Sequence, residues 1–134
     1  MEAFVVVALG GGLGSALRYG LVTFVNERLG PGFPWGTLSV NVVGSLLIGM
    51  LFAWLGQRTH GSEVIKLWLI TGVLGGFTTF SAFSLDTLLL LESRHWLKAL
   101  MNVSTTVFTC LLATAAGMWL ASALIRMYTD TSMH

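Results

Sequence analysis

The sequence predicts an all-α membrane protein: four transmembrane helices, with a break in the third. Hydrophobic residues make up 54% of the 134 residues and charged ones only 10%. A soluble domain carries about 25% charged residues, so this chain has too little charge to cover a water-facing surface. Its mean hydropathy of +0.80 agrees. Four stretches also approach or exceed the roughly 20 apolar residues needed to cross about 30 Å of hydrocarbon. They do not alternate in the short period of a membrane β-barrel. Helices, which satisfy their own backbone hydrogen bonds, are therefore the economical reading. No linker or internal repeat divides the chain, and a single domain over residues 1–134 is expected.

The first span is placed at Phe4–Val25. Its first charged side chain is Glu2, without the basic region of a secretory leader, so a retained span is expected. Gly10 and Gly14 form a GxxxG pair, and Gly11–Ser15 and Gly12–Ala16 repeat the spacing, which favours close helix contact. GGGLGS lies within a helix and lacks the strand–loop–helix setting of a nucleotide site. Arg18 is the one basic residue well inside a span. It either snorkels to the interface or gathers anions at a pore mouth.

The second span, Trp35–Leu55, follows the connector NERLGPGFP. Thr37, Asn41 and Ser45 are four apart and share a face. The Asn41 amide needs partners in hydrocarbon. Interhelical glue and a donor lining a pathway are both open to it.

The third span, Val64–Leu91, follows GQRTHGSE and contains GGFTTFSAFS at residues 75–84. Gly72, Gly75 and Gly76 each weaken a helix by roughly 1 kcal/mol relative to Ala. A break there frees carbonyls that suit a cation, and amides that suit an anion. Phe80 and Phe83 share a face beside the hydroxyls of Thr78, Ser81 and Ser84. Plain packing is the alternative for the two rings.

The fourth span, Trp96–Ile125, follows ESRH. Asn102, Thr106, Cys110 and Thr114 form one stripe at four-residue spacing. Ser104, Thr105 and Thr109 widen it. Back-bonding to the helix accounts for any single hydroxyl, but not for a register held across four positions. Cys110 alone reads as a small buried residue. The tail after Arg126 is expected to be short and mobile.

With four spans both termini share a side. Arg58, Lys66 and Arg126 fall on that side, and Arg28, Arg94 and Lys98 on the other. The positive-inside rule selects no orientation. Either another signal sets one orientation, or both insert and pair as an antiparallel dimer. The net charge of +1 gives no case for nucleic acid. The single cysteine forms no intrachain disulfide. No Walker loop, HExxH or CxxC marks an enzyme. His60, His95 and His134 fall in connectors or the tail, away from a shared metal site. Asp86 sits late in the third span and Glu92 beyond it, whereas a proton-coupled pump needs an ionisable group near mid-membrane. An amide, hydroxyls and the positive edges of phenyl rings suit a small dehydrated anion.

Three motifs together resemble the Fluc/CrcB family of fluoride channels: GGGLGSALRY at 10–19, WGTLSVNVVGSLLIG at 35–49 and TGVLGGFTTFSAFSLDT at 71–87. The fourth span matches loosely. The resemblance implies a passive fluoride channel in the bacterial inner membrane that exports fluoride and relieves its toxicity. It implies an antiparallel dual-topology homodimer with two pores and one central Na⁺. By resemblance Phe80 and Phe83 turn ring edges to fluoride, and Asn41 is the pore asparagine. Thr37, Thr79, Ser81, Ser84 and Thr114 belong to the polar lining, and Cys110 stands where many members carry a hydroxyl. A thiol is a weaker donor. Asp86 and Arg18 take the vestibule positions. The backbone carbonyls of Gly75 and Thr78 are implied as Na⁺ ligands. A small dual-topology multidrug exporter is the alternative; that family carries a first-span glutamate, where this chain has Arg18 and no internal acid. A non-transporting assembly protein is a third.

Overall fold

A computed structural model describes residues 1–56 and 63–131. Helix α1 covers Glu2–Leu29 and α2 covers Trp35–Leu55. The third stretch opens as α3 (Glu63–Lys66), continues as a π-helical segment (Leu67–Leu74) and then as α4 (Gly75–Phe77). After Thr78 and Thr79 it resumes as α5 (Phe80–Glu92). Helix α6 spans Trp96–Thr131. Four stretches, Glu2–Leu29, Trp35–Leu55, Glu63–Glu92 and Trp96–Thr129, are long and apolar enough to cross a membrane. The chain is a multi-pass membrane protein. Its outward faces are apolar, with Phe4, Leu17, Leu112 and Trp119 exposed, as lipid contact requires. Arg58, His60 and His134 lie outside the described residues.

Two backbone-to-backbone crossings hold the bundle together. Helix α1 lies on the π segment: a Cβ at Gly10 would come within 2.8 Å of the Trp68 carbonyl oxygen, and one at Gly14 would strike the Val73 carbonyl. Helix α2 crosses α6 in the same way, since a Cβ at Gly49 would strike the Thr114 carbonyl and one at Gly117 the Leu46 carbonyl. In a bilayer, helices associate through such close packing, because lipid tails remove the hydrophobic drive between them. The GxxxG face of α1 is thus spent on the interior of its own chain.

The connector between α5 and α6 is a Schellman turn. The His95 amide donates to the Leu90 carbonyl at 2.8 Å and the Arg94 amide to Leu91 at 3.0 Å. Arg94 takes the left-handed position at φ 58°, where glycine is usual. The reversal lays α6 back along α5 at once. At its far end α6 continues beyond Arg126 to Thr131, so the first five residues of the expected mobile tail are helical. The Thr129 hydroxyl lies 3.2 Å from the Ile125 carbonyl and 2.9 Å from that of Arg126, so it bonds back to its own helix.

The glycines of the third span are helical: Gly75 has φ −61° and ψ −38°. The residues that leave helical geometry are Thr78 (φ −80°, ψ 157°) and Thr79 (φ −152°, ψ 112°). They lie about midway along the apolar stretch Glu63–Glu92.

Candidate functional site

Extended backbone at mid-span leaves peptide groups without helical partners, and no water is at hand in hydrocarbon to replace them. Here Asn41 of α2 replaces them. Its Oδ1 accepts from the Thr79 amide at 2.8 Å, and its Nδ2 donates to the Thr79 carbonyl at 3.0 Å. The Thr79 side chain caps α5, accepting from the Ala82 amide at 3.1 Å and pairing with the Ser81 hydroxyl at 3.1 Å. Both Asn41 and Thr79 are buried.

These bonds decide which carbonyls come free. In an uninterrupted helix the Thr79 amide would bond the Gly75 carbonyl, and the Ala82 amide would bond that of Thr78. Asn41 Oδ1 takes the first donor and Thr79 Oγ1 the second. Gly75 and Thr78 therefore present carbonyl oxygens stripped of those partners. Among the described residues no cluster of three His, Cys, Asp or Glu side chains is placed to hold a metal. Gly76 and Phe77 also precede the extended pair, and the Ser15 hydroxyl lies 3.5 Å from the Gly76 carbonyl.

A cavity of about 440 Å³ adjoins this region. Asn41, Gly75, Thr78, Thr79, Phe80, Phe83 and Cys110 of the sequence-derived set all line it, together with Thr106. The Phe80 and Phe83 ring centroids are 5.3 Å apart, with planes inclined at 49°. Phe83 is 7% exposed and Phe80 77%. One ring is therefore packed within the chain, and the other is uncovered by it.

Thr37 and Asp86 form a separate site. The Thr37 hydroxyl donates to Asp86 Oδ2 at 2.6 Å, and the two line a second cavity of about 390 Å³ with Asn26, Pro31, Phe33 and Ser93. Arg18 lines neither cavity. Ser84 is turned back, its hydroxyl donating to the Phe80 carbonyl at 2.9 Å. Thr114 donates to the Cys110 carbonyl of its own helix at 3.0 Å. The stripe on α6 is thus divided: Thr106 and Cys110 reach the first cavity, and Thr114 does not.

Two features lie beyond the sequence-derived site set. Asn102, 1% exposed, donates from Nδ2 to Thr87 Oγ1 at 2.9 Å. Thr87 in turn donates to the Phe83 carbonyl at 2.7 Å. The stripe spacing singled out Asn102, but nothing local pointed to Thr87. The other feature is the Thr106 hydroxyl, buried and without a hydrogen-bond partner among the described residues. Ser104, Thr109, Thr114 and Ser122 on the same helix all bond back to it.

Residues 5–118 match the family model described as CrcB-like protein, Camphor Resistance (CrcB). Among curated relatives, a protein of Rhizobium meliloti named fluoride-specific ion channel FluC is 46% identical over 125 residues, covering 93% of this chain and all of the relative. A protein of the same name from Magnetococcus marinus is 48% identical over 112 residues, covering 84% of this chain and 91% of the relative. The one from Sorangium cellulosum is 43% identical over 125 residues, covering 93% and 98%. With the glycine-rich first span, the asparagine-bearing second and the interrupted third all inside the matched region, the chain belongs to the CrcB family.

Proposed function

We propose that this protein is a passive fluoride-selective channel of the bacterial inner membrane, working as an antiparallel dual-topology homodimer with two pores. The single observation that carries this reading is the 440 Å³ cavity, lined at mid-span by Asn41, Thr106 and the two phenylalanines Phe80 and Phe83. The likeness to relatives named as fluoride-specific channels supports it. An amide carries two hydrogens. Asn41 spends one on the Thr79 carbonyl, which leaves the other for a passing anion. The positive edges of Phe80 and Phe83 supply further stabilisation without a fixed charge that would trap the ion. Fluoride, the smallest halide, exchanges its water for these close donors, and larger halides fit them poorly. The Thr37–Asp86 cavity serves as a vestibule. The channel needs no catalytic group; it is not an enzyme.

Three exposed positions support a second copy: Gly75, Phe80 and Ser81. They flank the extended residues at mid-span, where lipid satisfies no backbone group. An inverted copy covering them matches the balanced charge of the loops. It would bring two Gly75 and two Thr78 carbonyls together, a hard-oxygen cage that fits one Na⁺. Bound there, the ion supplies positive charge at the dimer centre.

Fluoride efflux from proteoliposomes, with a potassium ionophore relieving the charge, tests the reading. Rapid fluoride loss with retained chloride is expected. Phe80→Ile and Phe83→Ile should each cut the flux sharply while the dimer stays folded; full flux in both would remove the rings from the pore. The dimer should lose thermal stability when Na⁺ is replaced by a bulky organic cation, and an unmoved midpoint would count against the ion.

A further inference from the structure

The part of the cavity wall that α5 supplies is held from outside the cavity. Phe83 lines that cavity with Thr106 and Cys110 of α6. One turn further along α5, the Thr87 hydroxyl donates to the Phe83 carbonyl at 2.7 Å and accepts from Asn102 Nδ2 at 2.9 Å. Neither Thr87 nor Asn102 lines the cavity, and Asn102 is 1% exposed. Asn102 stands one turn before Thr106 on the same face of α6, and the tight turn after α5 makes the two helices antiparallel. Phe83 and Thr106 on the cavity wall therefore share one register with Thr87 and Asn102. Helix α5 needs such a tie. It restarts at Phe80 after the extended Thr78 and Thr79, so no continuous helix upstream sets its rotation. Asp86, the residue before Thr87, accepts from the Thr37 hydroxyl of α2 at 2.6 Å. Consecutive residues point about 100° apart on a helix. Asp86 and Thr87 thus tie α5 to two different helices, and α5 can neither slide nor turn without breaking one of the bonds.

We propose that Asn102 and Thr87 are positioning residues for the pathway: their bond fixes the register of α5 against α6 and so holds the Phe83 ring in the cavity wall. A hydrogen bond between two regular membrane helices is otherwise plain glue, and glue shows only as stability. Positioning shows as function lost even where stability is restored. A binding constellation works only when supporting bonds hold it to within about 0.5 Å. The proposal rests on the channel reading for its effect on flux, but not for the placement of the ring.

The test uses the full chain, reading fluoride efflux in liposomes and melting temperature in detergent. A fluorinated phenylalanine placed at Phe83 reports the ring's surroundings through its fluorine resonance. Thr87→Val keeps the side chain's shape and removes the hydroxyl, so the buried Asn102 amide loses its acceptor. Asn102→Leu removes the donor. The double variant removes both, which is nearly neutral for stability because neither partner is left behind. The melting temperature should therefore fall most in Thr87→Val, less in Asn102→Leu and least in the double variant. Efflux should instead fall about tenfold in all three, the equivalent of one ordinary hydrogen bond, and the fluorine resonance should move in all three. Thr87→Ser, which keeps the hydroxyl, should hold wild-type efflux and resonance. Efflux that follows the melting temperature, or recovers in the double variant, would make the pair plain glue and overturn the proposal. So would an unmoved resonance. If wild-type liposomes release no fluoride, the channel reading fails on its own, and the resonance still decides whether the pair places the ring.

Discussion

Two buried asparagines do opposite jobs. Asn41 bonds to backbone, receiving the Thr79 amide and donating to the Thr79 carbonyl. Asn102 bonds to a side chain, Thr87, that joins two regular helices. The first makes possible a conformation that a helix in lipid would otherwise refuse. The second only pins together helices that exist without it. An amide at mid-membrane is therefore not one kind of feature: its importance depends on whether its partner has another way to be satisfied.

The comparison breaks most visibly at Asn41→Leu. That change leaves both the amide and the carbonyl of Thr79 unpaired, at roughly 1–3 kcal/mol for each buried group. We expect a large fall in the melting temperature in detergent and loss of fluoride efflux. A stable, conducting variant would show that Thr79 finds partners elsewhere. Asn41→Asp sharpens the point. As a neutral acid it keeps an acceptor for the Thr79 amide and an O–H for the Thr79 carbonyl. Its melting temperature should therefore fall between wild type and Asn41→Leu at acid pH, and drop further as the pH is raised and the buried carboxyl is forced to ionise.

Asn102→Leu is the matched change in the other region. Thr87 loses a donor but still donates to the Phe83 carbonyl, so the cost should be about 1 kcal/mol, that of one ordinary hydrogen bond. A drop as large as that of Asn41→Leu would erase the distinction. The smallest stability effect is expected at Thr106→Val, which removes a hydroxyl with no partner among the described residues. Stability should hold or rise, because nothing paired is lost, while efflux should fall. Movement of both quantities in the same direction would make Thr106 a packing residue.

Much of the fold was legible because hydropathy and spacing are local properties. Four apolar stretches read as spans, and helical spacing grouped Asn102, Thr106, Cys110 and Thr114 on one face. The site was less legible at each point where two acceptors compete for one donor. The glycines marked a weak place, yet Gly75 is helical and the extended residues are Thr78 and Thr79. Glycine lowers the cost of leaving a helix, but the departure happens where Asn41, 38 residues earlier in the chain, offers the backbone a better partner. Likewise Thr37, Asn41 and Ser45 share a face by spacing, yet Thr37 reaches Asp86 in one cavity while Asn41 and Ser45 line another.

By itself, then, the sequence determined that the chain lives in a membrane, how many times it can cross, and which residue types are available for an anion. Those follow from transfer of side chains out of water, which each segment settles alone. Tertiary structure decided which carbonyls come free, which hydroxyls turn inward and which stay tied to their own helix. Those outcomes depend on distances of a few ångströms between helices, and the helices come that close because glycines at Gly10, Gly14, Gly49 and Gly117 leave no side chain between the backbones.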